Sequence, residues 1–316
     1  MDARRRLVGC RCGQHRGGGR RAAFRRLSKK VDDLAQLLAA SMAGTSVPAN
    51  ARAFRGDRQA PRSIGEAIAR IVGGVPVSPG AYPECVLVGR RRRPRAPIGW
   101  FCSGVLVHPR LVLTAAHCFD PSHPANVVAL NAEDQDDLSH AELRGVRRMV
   151  RHPQYPQTGL HDIAVMVLGR EATVAPVRLA VAEELSQAQE TTLVGFGNDD
   201  VLSTRGFGIK REVTVPILRP GADGGNTDEA EQELELGFDS DLEFVAGGSG
   251  FDSCNGDSGG PAYIKVGAER VVSGLTSRAT ETARNPCGEG GIYTRVDVHL
   301  NFIRSVAAEA HITFSS

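Results

Sequence analysis

A chain of 316 residues that is 41% apolar and holds 36 glycines can bury one large core or two linked β-type cores, which excludes disorder throughout. Its net charge of +2 hides a division: residues 1–70 carry sixteen Lys/Arg against five Asp/Glu, so a basic leader precedes an acidic body. No apolar run reaches the eighteen or so residues that a membrane-spanning helix needs, which excludes such a span.

The leader is Arg/Gly-rich to about Arg26 and has twin arginines in RRLSKK. A modest apolar stretch, Leu34 to Val47, then precedes Ala49-Asn50-Ala51. That order of basic region, apolar region and small-residue cleavage site matches an export signal within residues 20–51. Asp32 and Asp33 abut the apolar run, and the same stretch also fits an amphipathic helix over Leu27 to Met42 or a basic arm for anionic surfaces. Export is the preferred reading, and the leader is expected to be poorly ordered. Cys10 and Cys12, followed by His15, lack the second pair at zinc-site spacing, so no metal site is expected there. Arg/Gly composition without aromatic interleaving implies no nucleic-acid partner.

Composition changes at RIVGG, residues 70–74, and from there the pattern is strand and turn. GVLVHPRLVLTAAHC gives two short β-rich runs, Val105 to Val107 and Leu111 to Thr114, around a Pro-containing turn. DIAVMVLG alternates over Ile163 to Leu168, and TTLVGFG and REVTVPIL repeat the theme. Strands of this length, punctuated by Gly, Pro and Asn/Asp, predict an all-β sandwich or barrel. Only near the C-terminus do Leu300, Ile303, Val306 or Ala307, and Ala310 fall at helical period, predicting a closing helix.

Three stretches carry chemistry when read together. TAAHC places His117 beside Cys118, HDIAVMVL puts Asp162 at the head of a half-buried strand, and SCNGDSGGP sets Ser258 among glycines. A serine hydroxyl needs a base to take its proton, and a histidine base needs a carboxylate to fix its tautomer and orientation. His117, Asp162 and Ser258 supply one of each. Gly256 lets the backbone bend until its own N–H and that of Ser258 point at one spot, an oxyanion hole whose single donors are worth about 3 kcal/mol of barrier.

With RIVGG, LTAAHC, HDIAVMVL, SCNGDSGGP and GGIYTRV in His, Asp, Ser order, the chain resembles a trypsin-like serine protease of the chymotrypsin family. The resemblance implies two antiparallel six-stranded β-barrels meeting near Leu179 to Ala188, a C-terminal α-helix, and a protease domain over 71–316 behind a propeptide at 1–70. It implies a zymogen: cleavage after Arg70 frees the α-amine of Ile71, which folds inward to pair with Asp257. That amine loses its charge at strongly alkaline pH, so activity is expected to fade there. The activating protease would be a separate enzyme or the protein itself.

The same resemblance places Asp252 at the floor of the specificity pocket, a carboxylate with no other partner that awaits a substrate Arg or Lys. Ser277, Ala279 and Gly291 would line that pocket, with Arg278 replacing the family's tryptophan and Ala279 its rim glycine. It also implies disulfides Cys102–Cys118 and Cys254–Cys287, each worth about 3–4 kcal/mol. Disulfides favour an oxidising destination, secreted or periplasmic. Cys85 is left to a bond with the leader or to a free thiol. Arg90 to Arg93 with Arg95 read as a basic loop open to self-cleavage, and Asp223 to Glu243 hold nine acidic residues; both are exosite candidates or plain solvated faces. Glu133 and Glu142 fall near the loop where trypsins bind calcium, but at a different spacing, so calcium is an optional extra and no cofactor is required. A monomer acting on protein or peptide substrates is expected. The competing class is a catalytically weak binding module that uses the basic leader for interactions.

Overall fold

The computed structural model describes residues 74–200, 202–218 and 229–314. Arg70, Ile71, Cys10, Cys12 and the leader with its export-signal stretch lie outside the described residues.

The β-rich runs of the body pair into two closed six-stranded barrels. A short strand β1 (Val75–Pro76) precedes β2 (Cys85–Arg91), β3 (Ile98–His108), β4 (Leu111–Thr114), β5 (Val127–Leu130), β6 (Glu142–Arg151) and β7 (Ala164–Leu168). Strands β2 to β7 close in the antiparallel order β2-β3-β4-β7-β6-β5. After a connection at 169–189 come β8 (Glu190–Gly195), β9 (Arg211–Leu218), β10 (Glu243–Ala246), β11 (Pro261–Val266), β12 (Glu269–Ala279) and β13 (Gly291–Arg295). They run β9-β10-β13-β12-β11-β8, the β8–β9 pairing closes the ring, and β1 adds to the outer edge of β9. Four helices complete the described chain: α1 (Tyr155–Thr158), α2 (Ala182–Gln187), α3 (Glu229–Leu236) and α4 (Leu300–Glu309). The predicted C-terminal helix is therefore present, with Ile303, Val306 and Ala307 on its buried side.

The continuous apolar runs, rather than strict alternation, have a cause in how the barrels are buried. In β2, Val86 and Val88 belong to the first barrel's interior with Leu106, Val112, Val128 and Met166. Cys85 and Leu87, on the other face, join a shared core with Val194, Phe196, Tyr263 and Leu275 of the second barrel and Ile303 of α4. A strand with both faces covered gains from apolar residues at every position, about 1.5–3 kcal/mol for each large side chain. Leu193, Val215, Phe244, Ile264 and Val271 fill the second barrel.

Both expected disulfides form, with Cα separations of 6.4 Å for Cys102–Cys118 and 5.1 Å for Cys254–Cys287. Among the described residues Cys85 is a free thiol at 0% exposure, its Sγ against the Val194 carbonyl. Arg90 and Arg91 belong to strand β2, and the basic loop begins only at Arg92. Glu243, counted with the acidic loop, is instead the first residue of β10 and is buried.

Candidate active site

Strand pairing brings the first two candidate residues together. Thr114 at the end of β4 lies opposite Ala164 at the start of β7. His117 follows β4 in a 3-10 turn, Ala116–Cys118, and Asp162 precedes β7, so both leave the barrel at the same rim. The His117 Nδ1 is 2.7 Å from Asp162 Oδ2, and the His117 backbone N–H donates to Asp162 Oδ1 at 2.9 Å. A second-barrel hydroxyl completes the set: Ser277 Oγ donates to Asp162 Oδ2 at 2.6 Å. Burial pushes the Asp162 carboxyl up, but the hydrogen bonds and charge of His117 and the Ser277 hydroxyl outweigh it, and the net shift is below the ordinary value. Ser277, expected only as a pocket residue, thus also orients the carboxylate.

Ser258 arrives on the loop between β10 and β11, stitched to the first barrel by one residue that the sequence reading did not single out. The Ser103 backbone N–H donates to the Ser258 carbonyl at 2.9 Å, and Ser103 Oγ donates to the Gly256 carbonyl at 2.9 Å. Cys118 Sγ, next to His117, lies 3.7 Å from the same Ser258 carbonyl. Gly256 takes φ +100°, and a Cβ there would lie 2.5 Å from the Phe207 ring, so both backbone and space require glycine.

Asp257 points the other way, into the protein. Its carboxylate accepts the Gly197 N–H at 2.7 Å and the Cys254 N–H at 2.8 Å. Among the described residues no ion pair reaches it, and desolvation raises its carboxyl to about 6 despite these bonds.

Asp252, Ser258, Ser277, Arg278, Ala279 and Gly291 share one narrow pocket of about 50 Å³. Ala279 and Gly291 face each other across the β12–β13 ladder, and a Cβ on Gly291 would lie 2.7 Å from Asp252 Oδ1. Asp252 does have partners, contrary to expectation: Tyr293 Oη donates at 3.1 Å, Ser253 N at 2.7 Å and Gly290 N at 3.2 Å. All are neutral, and burial still lifts its carboxyl to about 6. Arg278 is bound to a carboxylate already. Its two terminal nitrogens reach Glu243 at 2.5 and 2.9 Å, and the Glu243 side chain is fully buried.

A wider recess of about 580 Å³ is lined by His117 with Arg90, Arg92, Trp100, Phe101 and His123. Glu133 and Glu142 are engaged separately. Glu133 accepts the Gly80 N–H, while Glu142 holds Thr173 and pairs with Arg144.

Similarity to known proteins agrees with this geometry. The Trypsin family model matches residues 71–303. The serine protease snk of Drosophila melanogaster is 31% identical over 76% of this chain, and tryptase of Mus musculus is 33% identical over 64% of it, 77% of its own length. A trypsin of Saccharopolyspora erythraea is 28% identical over 64% of this chain and 85% of its own length. Among solved structures, the secreted serine protease VesC from Vibrio cholerae superposes with a TM-score of 0.56 at 28% identity, covering 73% of this chain. The chain spans 58% of snk and 47% of VesC. With the family model matching well over half its length and both barrels closed, the chain belongs to the trypsin family of serine proteases.

Proposed function

We propose that this chain is a serine endopeptidase that cleaves after Arg or Lys and is switched on by cleavage after Arg70. The observation that carries this reading is the bonded chain Ser277–Asp162–His117 beside the Ser258 loop. With the Asp162 carboxylate at Nδ1, that nitrogen holds the ring proton, and Nε2 is left as the base. Nε2 takes the proton of Ser258 Oγ as that oxygen attacks the substrate carbonyl carbon. The carbonyl oxygen, now anionic, is held by the N–H groups of Gly256 and Ser258. His117 then gives its proton to the departing amine, and water repeats the sequence on the acyl-enzyme to release the acid.

Asp252 supports the choice of a basic side chain, because a buried carboxylate with only neutral partners rejects apolar groups that would leave it unpaired. Asp257 supports activation: it is a buried carboxylate that lacks an ion pair among the described residues, and the Ile71 ammonium would supply one. Two disulfides and the similarity to a secreted protease, VesC, support an oxidising, extracytoplasmic destination.

The test is to treat the purified full-length chain with trypsin, sequence the new N-termini and profile cleavage on a peptide library. A terminus beginning Ile71, labelling of Ser258 by an organophosphonate and cleavage after Arg or Lys are expected. Arg70→Gln should stay inert in trypsin. Full activity in that variant, or no labelling of Ser258 after cleavage, overturns the reading.

A further inference from the structure

Three histidines from three segments meet, one of them beside Asp162 in the chain. His152 follows β6, His161 immediately precedes Asp162, and His299 ends the 3-10 turn Asp297–His299 that leads into α4. Each offers one ring nitrogen, and these nitrogens lie within 4.8 Å of one another. His161 holds a left-handed backbone, φ +57°, which is uncommon for a residue with a side chain and turns its ring toward the other two.

The tautomer of His299 follows from its surroundings. Its Nδ1 lies 2.6 Å from the Arg295 carbonyl oxygen, where only an N–H fits, so Nε2 carries the lone pair. That lone pair faces His161 Nδ1 at 3.0 Å. A carbonyl behind one nitrogen, fixing the other as an aimed donor, is the support that metal-binding histidines use. His152 stacks on His161 at 4.5 Å between centroids, and Phe302 of α4 meets it edge-on at 4.8 Å. His152 and His161 are half-buried and reachable from solvent, while His299 is buried. Burial, followed by repulsion from the other two rings, holds His152 at about 4, and burial lowers His299 as well, so both rings are uncharged at neutral pH; their lone pairs are engaged only by the Gln154 N–H and by His161 Nδ1, contacts that a metal would replace.

We propose that His152, His161 and His299 form a site for a zinc-class transition metal, and that filling it inhibits the enzyme by shifting His161 against Asp162. Zinc–nitrogen bonds of about 2.0–2.1 Å in tetrahedral geometry put ligand nitrogens about 3.3 Å apart, so the His161–His299 pair need open by only about 0.3 Å. Three neutral imidazoles suit zinc, copper or nickel and offer nothing to calcium or magnesium. A solvent molecule would take the fourth position. The metal is not a cofactor here, since His117 is oriented by its two bonds to Asp162, and Asp162 by the Ser277 hydroxyl. Moving the residue bonded to Asp162 disturbs a carboxylate held by three directed bonds. The metal site stands on its own geometry, whereas its inhibitory effect rests on the proposed protease activity.

The experiment uses the full-length chain, with Co²⁺ as probe and Zn²⁺ as competitor. Visible ligand-field bands of a four-coordinate nitrogen and oxygen site should appear, be displaced by zinc, and weaken at least tenfold in apparent affinity in His152→Gln. Thermal unfolding of that half-buried variant checks that it folds, and His161→Gln gives a second variant should it not. Equal binding in wild type and variants, or only near-ultraviolet thiolate bands from cysteines, overturns the site. After trypsin activation, Zn²⁺ should inhibit peptide hydrolysis by the wild type and do so at least tenfold more weakly in His152→Gln. Equal inhibition of both would mean that zinc acts at His117 and overturns the inhibitory half. No hydrolysis at all in metal-free protein overturns the protease reading and the inhibition with it, while the cobalt spectrum still decides the metal site.

Discussion

Asp162, at the rim of the first barrel, and Asp257, on the Ser258 loop of the second, are each only 2% exposed, yet their carboxyl groups are held in opposite directions. Asp162 sits below its ordinary value because a histidine ring, a backbone N–H and a hydroxyl all serve it. Asp257 has two backbone N–H donors and sits at about 6. The same contrast separates Glu243, whose charge is matched by Arg278, from Asp252, whose partners are all neutral. A buried carboxylate without a cation is costly. On the proposed reading the two unmatched carboxylates receive their cations from outside the folded body: Asp257 from the amine freed at Ile71, Asp252 from the substrate side chain. The first barrel would then be finished before activation, and the second would be completed by it.

The largest expected effect breaks the finished half. Asp162→Asn keeps the packing but offers His117 Nδ1 a donor as readily as an acceptor, so the ring can settle in the wrong tautomer; kcat should fall about 10⁴-fold with little change in unfolding temperature. A loss under tenfold would show that His117 is oriented by something other than Asp162.

Next comes the unfinished half. Asp257→Asn removes the destination of the Ile71 ammonium, so the cleaved chain should lose about 3–5 kcal/mol of the ordering that shapes the Ser258 loop and remain poorly active. The uncut chain should behave differently. Its Asp257 holds a proton up to about pH 6 when folded, whereas an unfolded aspartate releases it near 4, so stability falls as pH rises through that interval. In the uncut chain Asp257→Asn should remove that part of the slope, which thermal unfolding of Arg70→Gln with and without the second change will read. An unchanged slope would mean that Asp257 is already paired before cleavage.

Arg278 and Glu243 sharpen the comparison from the side of stability. Arg278→Met strands a fully buried carboxylate and should cost about 3–5 kcal/mol in chemical denaturation, while Glu243→Met with Arg278→Met should be near neutral. If the double variant is as damaged as the single one, the pair's value lies in the bonds from Arg278 to the Gly237 carbonyl and Ser277 rather than in matched charge.

How much of this was legible in the chain follows from the range of the interactions. His117, Asp162 and Ser258 sit in short runs whose local chemistry is distinctive, and the β-rich runs and the C-terminal periodicity marked the strands and α4 where they occur. What was missed depends on pairings across the fold. Glu243 looked like one more charge in an acidic loop because its partner is 35 residues away, on a strand two places removed in the sheet. Ser103 resembles any strand serine until the barrels dock and both its N–H and its hydroxyl reach the Ser258 loop. The three histidines have no shared spacing, since 138 residues separate His161 from His299, and only barrel closure and the return of the chain before α4 bring them together. Asp252 lines one pocket with Ser258, and its hydrogen bonds from Tyr293 and Gly290, which arise from β13 and the turn before it, were not legible in the chain.

The smallest effect tests the pocket without any mutation. An uncharged Asp252 cannot attract a guanidinium, and with its carboxyl at about 6 it is roughly one-tenth ionised at pH 5 and nine-tenths at pH 7. Any group that serves catalysis in general titrates equally for all substrates, so it cancels in the ratio of kcat/KM for a peptide with Arg before the scissile bond to the same peptide with citrulline there. Citrulline keeps the shape and loses the charge. The ratio should climb about tenfold between pH 5 and pH 7 and level off above, and in Asp252→Asn it should be low and flat. A ratio that is high and already flat at pH 5 would mean that the carboxylate is ionised throughout. Asp252 would then be satisfied from within like Asp162 and Glu243, and only Asp257 would wait for a cation.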